Sequence, residues 1–139
     1  MATGTAFSDV MENDILERYL RNVTTVVGAL PATVFVGLGT AGVDQSIAEP
    51  VATRAYTRKS IGFGTVGSAA GTITAPTAVV TFDQCTGADW GTISHFAIYD
   101  ASATATGKML FWGALGSTVQ IAVNDKFEFA TGAITITVD

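Results

Sequence analysis

The sequence predicts a mainly β protein, in which an N-terminal α-helix precedes an antiparallel β-sandwich or jelly-roll-like domain. Two segments rich in β-branched and aromatic residues, Thr92–Tyr99 and Lys108–Leu115, are joined by a small polar stretch, which is typical of an antiparallel strand pair. Apolar and threonine side chains alternate over Ile134–Val138, at the chain end. Several short strands joined by glycine-rich turns indicate a sandwich or jelly roll.

The helix is predicted over residues 8–22. Ser8 suits the N-cap position, and Asp9 and Glu12 place negative charge in the first turn, where the helix dipole favours it. Apolar side chains then recur at helical spacing from Phe7 to Val23. The sequence therefore predicts an amphipathic helix at the start of the chain.

One folding unit with two parts is predicted, a helical arm over residues 1–30 and the β-sandwich domain over residues 31–139. Met1–Gly4 has no apolar periodicity, so its removal is expected to do little. The other predicted strands are Ala32–Leu38, Thr53–Phe63, two short strands within Gly71–Phe82 broken near Pro76, Thr118–Val123 and Lys126–Ala130.

Composition points towards assembly with other subunits. Only 14% of the residues are charged, against about a quarter in a typical domain. The mean hydropathy is +0.42, yet no run approaches the ~20 apolar residues of a membrane helix. We therefore expect a homo-oligomer and no membrane partner. The net charge of −5 argues against nucleic acid as a partner, since phosphate contacts need clustered Lys and Arg.

A small set of residues is predicted to contact other subunits. The basic cluster consists of Arg54, Arg58 and Lys59, and in a strand the two arginines would share a face while Lys59 points the other way. Contact with an acidic neighbouring subunit is one hypothesis, and a solvated strand face is the other. Tyr19 and Leu20, in the apolar stripe of the predicted helix, are the remaining candidate contacts.

Two glycine-rich segments fit the G-x-G-x-x-G pattern of dinucleotide sites, Gly37–Gly42 and Gly62–Gly67. In such a site the third glycine opens a helix that receives the pyrophosphate. The residues after Gly42 are too short a run for that helix and end at Pro50, and those after Gly67 read as a loop. We interpret these residues as turn glycines and predict no cofactor.

Catalytic and metal chemistry find little support in the sequence. The single cysteine and the single histidine, Cys85 and His95, could form a nucleophile–base pair. His95 alternates within a strand and is interpreted as a packing residue, and Cys85 is interpreted as a small, partly buried side chain near a turn. Asp83, Asp89 and Asp100 are too scattered for a calcium loop. A strand ~35 Å long separates Asp89 from Asp100, which excludes a carboxylate pair acting on one bond. No catalytic or metal residues are predicted.

Aromatic side chains allow two interpretations. Trp90, Tyr99, Phe111 and Trp112 could form a platform for carbohydrate, as in many β-sandwich receptor-binding proteins. They could equally fill the core and pack across strands, as large aromatic side chains usually do. Packing is the favoured interpretation.

The order of several segments along the chain resembles a family of small bacteriophage virion proteins. The segments are Phe7–Asp9, Glu12–Asn13, Pro31–Leu38, Ala78–Phe82, Asp89–Thr92, Leu110–Leu115 and Gly132–Thr137. The resemblance implies an N-terminal helical segment that leads into a β-domain, and it carries over no catalytic residue. Members of the family look like capsid decoration proteins or tail-fibre-type proteins.

This resemblance implies a non-enzymatic structural protein of the virion, assembled in the cytoplasm of the bacterial host. The favoured function is a capsid decoration, or cement, protein that binds the major capsid protein or other virion subunits as a trimer and stabilises the shell. The alternative is a tail-fibre or head-fibre component involved in host-surface attachment. A fibre is expected to carry a shaft repeat or stalk, which this short chain lacks, so decoration is preferred.

Overall fold

The computed structural model describes residues 2–8, 11–12, 15, 20, 31–41, 46–65 and 71–137. The strands in this part of the chain are β1 (Ala2–Phe7), β2 (Val34–Ala41), β3 (Ile47–Ala48), β4 (Lys59–Ile61), β5 (Thr72–Ala75), β6 (Val80–Thr81), β7 (Gly91–Tyr99), β8 (Met109–Ile121), β9 (Glu128–Phe129) and β10 (Ile134–Thr137). A 3₁₀ turn, Ala52–Arg54, precedes β4. The prediction of a mainly β fold is confirmed.

An eight-stranded sheet dominates the structure, with the order β3-β2-β7-β8-β1-β10-β5 and with β4 paired to β2. β1 and β10 are parallel, and the other pairs in the sheet are antiparallel. β6 and β9 form a separate antiparallel ribbon. The predicted strand pair is confirmed as β7 and β8, in which Ile98 lies opposite Phe111. β5 and β6 are the two short strands predicted on either side of Pro76.

The residues after β4 connect the two ends of the sheet. The Gly64 N–H donates to the Thr74 carbonyl over 2.9 Å, and the Thr77 N–H donates to the Gly62 carbonyl over 3.0 Å. Because β4 pairs with β2, these bonds link the β2 side of the sheet to β5. These two hydrogen bonds join the residues after β4 to β5 and to the residue Thr77 beyond it. The predicted sandwich or jelly roll is not confirmed.

Aromatic side chains fill much of the core inside this sheet. Phe82 is 1% exposed, and its ring centre lies 6.1 Å from those of Tyr56 and Phe127 and 6.4 Å from those of Trp90 and Phe129. Most of these ring pairs meet edge to face, the arrangement that aromatic quadrupoles favour. The core therefore draws on β6, β9 and the loops around them as well as on the main sheet.

β1 is a strand that the sequence did not predict. It lies between β8 and β10, with Thr3 opposite Ala114 and Ala2 opposite Ile134. The structure contradicts the expectation that Met1–Gly4 can be removed at little cost, because loss of β1 would leave β8 and β10 without a shared neighbour. Its Ala, Thr and Gly residues carry no apolar alternation, so the pairing partners decide its conformation.

The predicted helix falls mostly outside the described residues. At its start, Ser8 Oγ accepts a hydrogen bond from the Met11 N–H over 3.2 Å, and the Ser8 carbonyl accepts one from the Glu12 N–H over 2.9 Å. These are the bonds of a helix N-cap, the position predicted for Ser8. An N-terminal helix over 8–22 is not confirmed, and the division between an arm over 1–30 and a domain stays a prediction.

Gly37 and Gly39 lie inside β2, so their interpretation as turn glycines is wrong. A Cβ atom on Gly39 would overlap the carbonyl group of Ala48, and one on Gly37 would lie 2.5 Å from Glu49 Oε1. The absent side chains let the end of β3 and Glu49, which follows it, lie close against this face of β2. Two glycines at i and i+2 in a strand share one face, which is a sequence signal for such a close approach. The predicted strand Ala32–Leu38 ended before Gly39, so this signal was missed.

Replacing Gly39 with alanine is expected to lower the free energy of unfolding by about 1–3 kcal/mol, because the new methyl group would push against backbone. Gly64→Ala is the matched control, since a Cβ there would lie 3.6 Å from the nearest atoms of Thr74. Urea unfolding followed by tryptophan fluorescence gives both values. Equal unfolding midpoints for the two variants would contradict the close approach.

Candidate functional site

Arg58 occupies the centre of a buried polar cluster and is only 5% exposed. Its Nε and Nη2 atoms donate to the Glu49 carboxylate, with Nε 2.9 Å from Oε1 and Nη2 2.6 Å from Oε2. Its Nη1 atom donates to the carbonyls of Ala101 at 3.0 Å and Thr106 at 2.9 Å. The guanidinium carbon lies 3.4 Å from the centre of the Tyr99 ring. This arrangement is a bidentate ion pair combined with a cation–π contact.

The cluster holds a surface loop against the sheet. Residues 101–107 lie within the connection between β7 and β8, and Arg58 donates to two of their carbonyls from the segment that precedes β4. A charge removed from water needs hydrogen bonds for its remaining protons, and the loop carbonyls supply them. The arrangement can fix loop geometry, and it places no reactive group at the surface.

The Tyr56 hydroxyl extends the cluster to the edge of β2. It accepts a hydrogen bond from the Leu38 N–H over 2.7 Å and lies 2.8 Å from Glu49 Oε1, to which it can donate. β4 pairs with β2 up to Val36, and β3 pairs with it from Thr40 onwards. The Tyr56 hydroxyl therefore accepts a hydrogen bond from the β2 backbone at Leu38, where neither β3 nor β4 pairs with β2.

Stability is expected to fall as the pH rises above about 10, the ordinary tyrosine pKa. Burial, reinforced by the nearby Glu49 carboxylate, raises the pKa of Tyr99 to about 12 and raises the pKa of Tyr56 further. Below pH ~10 both tyrosines are neutral in either state, so their contribution is complete. Above it the tyrosines of the unfolded chain ionise first, which lowers the free energy of the unfolded state relative to that of the folded state.

Urea unfolding at about pH 9 and pH 11 measures this loss, and absorbance of the phenolate reports the titration itself. Tyr99→Phe is the control, because it removes one of the two hydroxyls whose pKa is raised and so weakens the pH dependence of stability. Identical stabilities at the two pH values would show that these tyrosines titrate normally in the folded protein.

The other predicted contact residues have different surroundings. Arg54 ends the 3₁₀ turn instead of lying in a strand, and its Nη1 atom donates to the Asp89 carbonyl. Lys59 Nζ lies 2.6 Å from Asp83 Oδ2, and this hydrogen bond lowers the pKa of Asp83. Leu20 is 78% exposed.

The shared face expected for the two arginines is therefore wrong. The Arg58 guanidinium forms a buried ion pair with Glu49 of the same chain. Tyr19 lies outside the described residues. The subunit-contact prediction now depends on Arg54, Lys59 and Leu20, for which it stays a prediction.

Cys85 and His95 have local partners. Cys85 is fully buried, and its thiol donates to the Ala88 carbonyl over 3.2 Å. His95 Nδ1 lies 2.9 Å from Ser94 Oγ, and its ring stacks on Trp112 with 5.9 Å between centres. Both residues take part in packing, as predicted.

Two of the three candidate acidic residues accept backbone hydrogen bonds that hold loop segments together. Asp89 Oδ1 accepts a hydrogen bond from the Val123 N–H over 2.8 Å, and Asp100 Oδ1 accepts one from the Lys108 N–H over 2.6 Å. Within the ranges that the structure describes, no group of three His, Cys, Asp or Glu residues could hold a metal ion. No helix in those ranges has the length and hydropathy needed to cross a membrane.

Three of the four aromatic candidates for a carbohydrate platform are buried. Trp90, Tyr99 and Phe111 are 7%, 6% and 5% exposed, and the Trp90 indole N–H donates to the Arg54 carbonyl over 2.8 Å. Trp112 is partly buried and packs beside Ile47 and Tyr99. The packing interpretation is confirmed for the three buried rings.

A groove of about 380 Å³, lined by apolar side chains together with Gly116 and Ser117, opens beside the second half of β8. Its apolar lining includes Leu115, Val119, Phe127 and Phe129. Sequence reasoning missed this groove. It treated residues 108–115 and 118–123 as two strands, whereas β8 is one strand of 13 residues with an irregularity between them.

The charged and aromatic residues described above thus hold loops in place and fill the core. Their arrangement is that of a β-rich structural protein. Residues 6–137 match a family model described as podophage GP4 fiber I protein gp80. The chain belongs to this family, and it is therefore a structural, fibre-type protein of a bacteriophage virion. No curated protein matches the chain. The resemblance drawn from the sequence is confirmed, whereas the capsid-decoration function is not confirmed and the fibre alternative fits better.

Proposed function

We propose that this protein is a non-enzymatic fibre component of a podophage virion that takes part in host-surface attachment. The observation that carries the proposal is the family match over residues 6–137, which spans nearly the whole chain. A missing shaft repeat is what favours capsid decoration in the sequence. This reason is weaker now, since the matching family is itself described as a fibre protein. Assembly in the host cytoplasm with other virion subunits belongs to the same proposal.

The sheet supports a role that carries mechanical load. β1 and β10, near the two ends of the chain, pair with each other, with Ala2 opposite Ile134 and Gly4 opposite Ile136. β1 also pairs with β8, and β10 also pairs with β5. A pull on either strand is therefore resisted by hydrogen bonds to two neighbours.

Immunogold labelling of intact virions tests the location. Antibodies raised against the purified protein are expected to label fibres, while antibodies against the major capsid protein label the shell as a control. Label from this protein spread over the capsid faces would overturn the fibre assignment and restore the decoration hypothesis.

Competition for adsorption tests the attachment step separately. Purified protein added to host cells before the phage is expected to reduce the fraction of phage that adsorbs. Heat-unfolded protein at the same concentration is the control. Unchanged adsorption at saturating protein, together with label on the fibres, would contradict attachment by this chain.

A further inference from the structure

The first and last strands of the chain lie side by side and run in the same direction. Ala2 lies opposite Ile134, and Gly4 lies opposite Ile136. Among the strand pairs that the structure describes, this is the only parallel one. The chain therefore enters β1 at one end of this pair and leaves β10 at the opposite end.

Tension between the two ends of the chain acts mainly along these strands. Thr137 follows Ile134 by three residues, so at ~3.3 Å per residue it lies ~10 Å along the strand direction from the level of Ala2. The two strands are only ~4.8 Å apart across the sheet. The pull therefore loads the hydrogen bonds between them in shear, and these bonds must break together. A pull across the strands would break them one after another.

Both loaded strands are also paired on their other sides. β1 pairs antiparallel with β8 over residues 111–114 of that strand. β10 pairs antiparallel with β5 over residues 72–75. Neither strand lies at an edge of the sheet, so the withdrawal of either one breaks two ladders of hydrogen bonds.

Buried side chains oppose sliding of β10 along β1. Ile134 and Ile136 are both buried in the core. A shift of the strand by one residue would turn both isoleucines to the opposite face of the sheet. A shift by two residues would keep the face but would move each isoleucine ~6.6 Å along the core. Burial therefore fixes the register that the shear load has to break.

We propose that β1 and β10 form a mechanical clamp, which resists tension between the two ends of the chain by shear across their parallel ladder. The rest of the fold keeps its contacts until this pair separates. The inference concerns the response of the fold to force, and it goes beyond the proposed function in attachment.

Single-molecule force spectroscopy in two pulling geometries tests the clamp. The first geometry has handles at the two ends of the chain. In the second, the C-terminal handle moves to Thr131→Cys, an exposed position on the side of β10 where β1 begins, so the pull acts across the strands. Cys85 is fully buried and takes no handle.

At the same constant force, the protein is expected to survive roughly tenfold longer or more in the first geometry than in the second. This ratio corresponds to roughly one or two further hydrogen bonds broken in the same step. The comparison needs no change in the core, since Thr131 is exposed.

Two buried isoleucines locate the clamp within the fold. Ile136→Ala truncates a side chain of β10, and Ile121→Ala is the matched control, because Ile121 is 2% exposed and ends β8. Both variants are expected to lower the urea midpoint. Only Ile136→Ala should shorten the lifetime under tension between the chain ends, by roughly tenfold or more, because the contacts of Ile121 persist until the clamp has separated.

Equal lifetimes in the two pulling geometries would overturn the clamp, and so would equal effects of the two isoleucine variants on the lifetime under force. Label on the fibres together with equal lifetimes would refute the clamp and leave the proposed function standing. Label on the capsid faces together with lifetimes that depend on the pulling geometry would do the reverse.

Discussion

Replacing Arg58 with alanine is expected to lower the free energy of unfolding by about 3–5 kcal/mol, a large part of the stability of a typical domain. The substitution leaves the Glu49 carboxylate, with 10% of its side chain exposed, without its cation. It also removes the donors to the carbonyls of Ala101 and Thr106. Urea unfolding at neutral pH measures the loss.

The neighbouring ion pair provides a control for position and charge. Lys59→Ala breaks the pair with Asp83, whose side chain is 52% exposed, and exposed pairs contribute at most about 1 kcal/mol. A double variant, Glu49→Leu with Arg58→Met, should recover part of the loss because no buried charge remains unpaired. If Arg58→Ala and Lys59→Ala cost the same, the buried cluster does not stabilise the fold.

Deleting Ile134–Asp139 is expected to abolish folding. Ile134 and Ile136 are 0% and 7% exposed, and burial of each contributes roughly 1.5–3 kcal/mol. β10 also lies between β1 and β5, so the deletion removes the partner of both strands. Val138, the third residue of the predicted apolar face, lies outside the described residues. Circular dichroism of the truncated protein gives the result.

A point substitution tests the same strand in a chain of full length. Ile134→Ala is expected to cost about 2–5 kcal/mol through lost transfer energy and a residual cavity. Val79→Ala is the control, because Val79 is 55% exposed and its truncation should change the melting temperature little. A truncated protein that stays soluble with an unchanged melting temperature would show that β10 is not part of the sheet.

Local patterns in the sequence determined the elements whose signal lies within a few residues. The β7–β8 pair, the break near Pro76 and the terminal strand were all predicted, because β-branched residues, alternation and a proline act over that range. The same reasoning predicted packing roles for Cys85 and His95. The order of the quoted segments along the chain also identified the virion family, although the capsid-decoration function preferred from the sequence is not confirmed and the fibre alternative fits better.

Only the tertiary structure decided the features that depend on distant partners. The residues of β1 have no strand pattern of their own, and their conformation follows from β8 and β10, which lie more than 100 residues away in sequence. Arg58 looked like a surface cation until the fold placed Glu49 and the 101–107 loop around it. Gly39 was interpreted as a turn residue, whereas in the structure it lies in β2 against the Ala48 carbonyl. Each contact joins segments that no local pattern relates, and only packing brings them together.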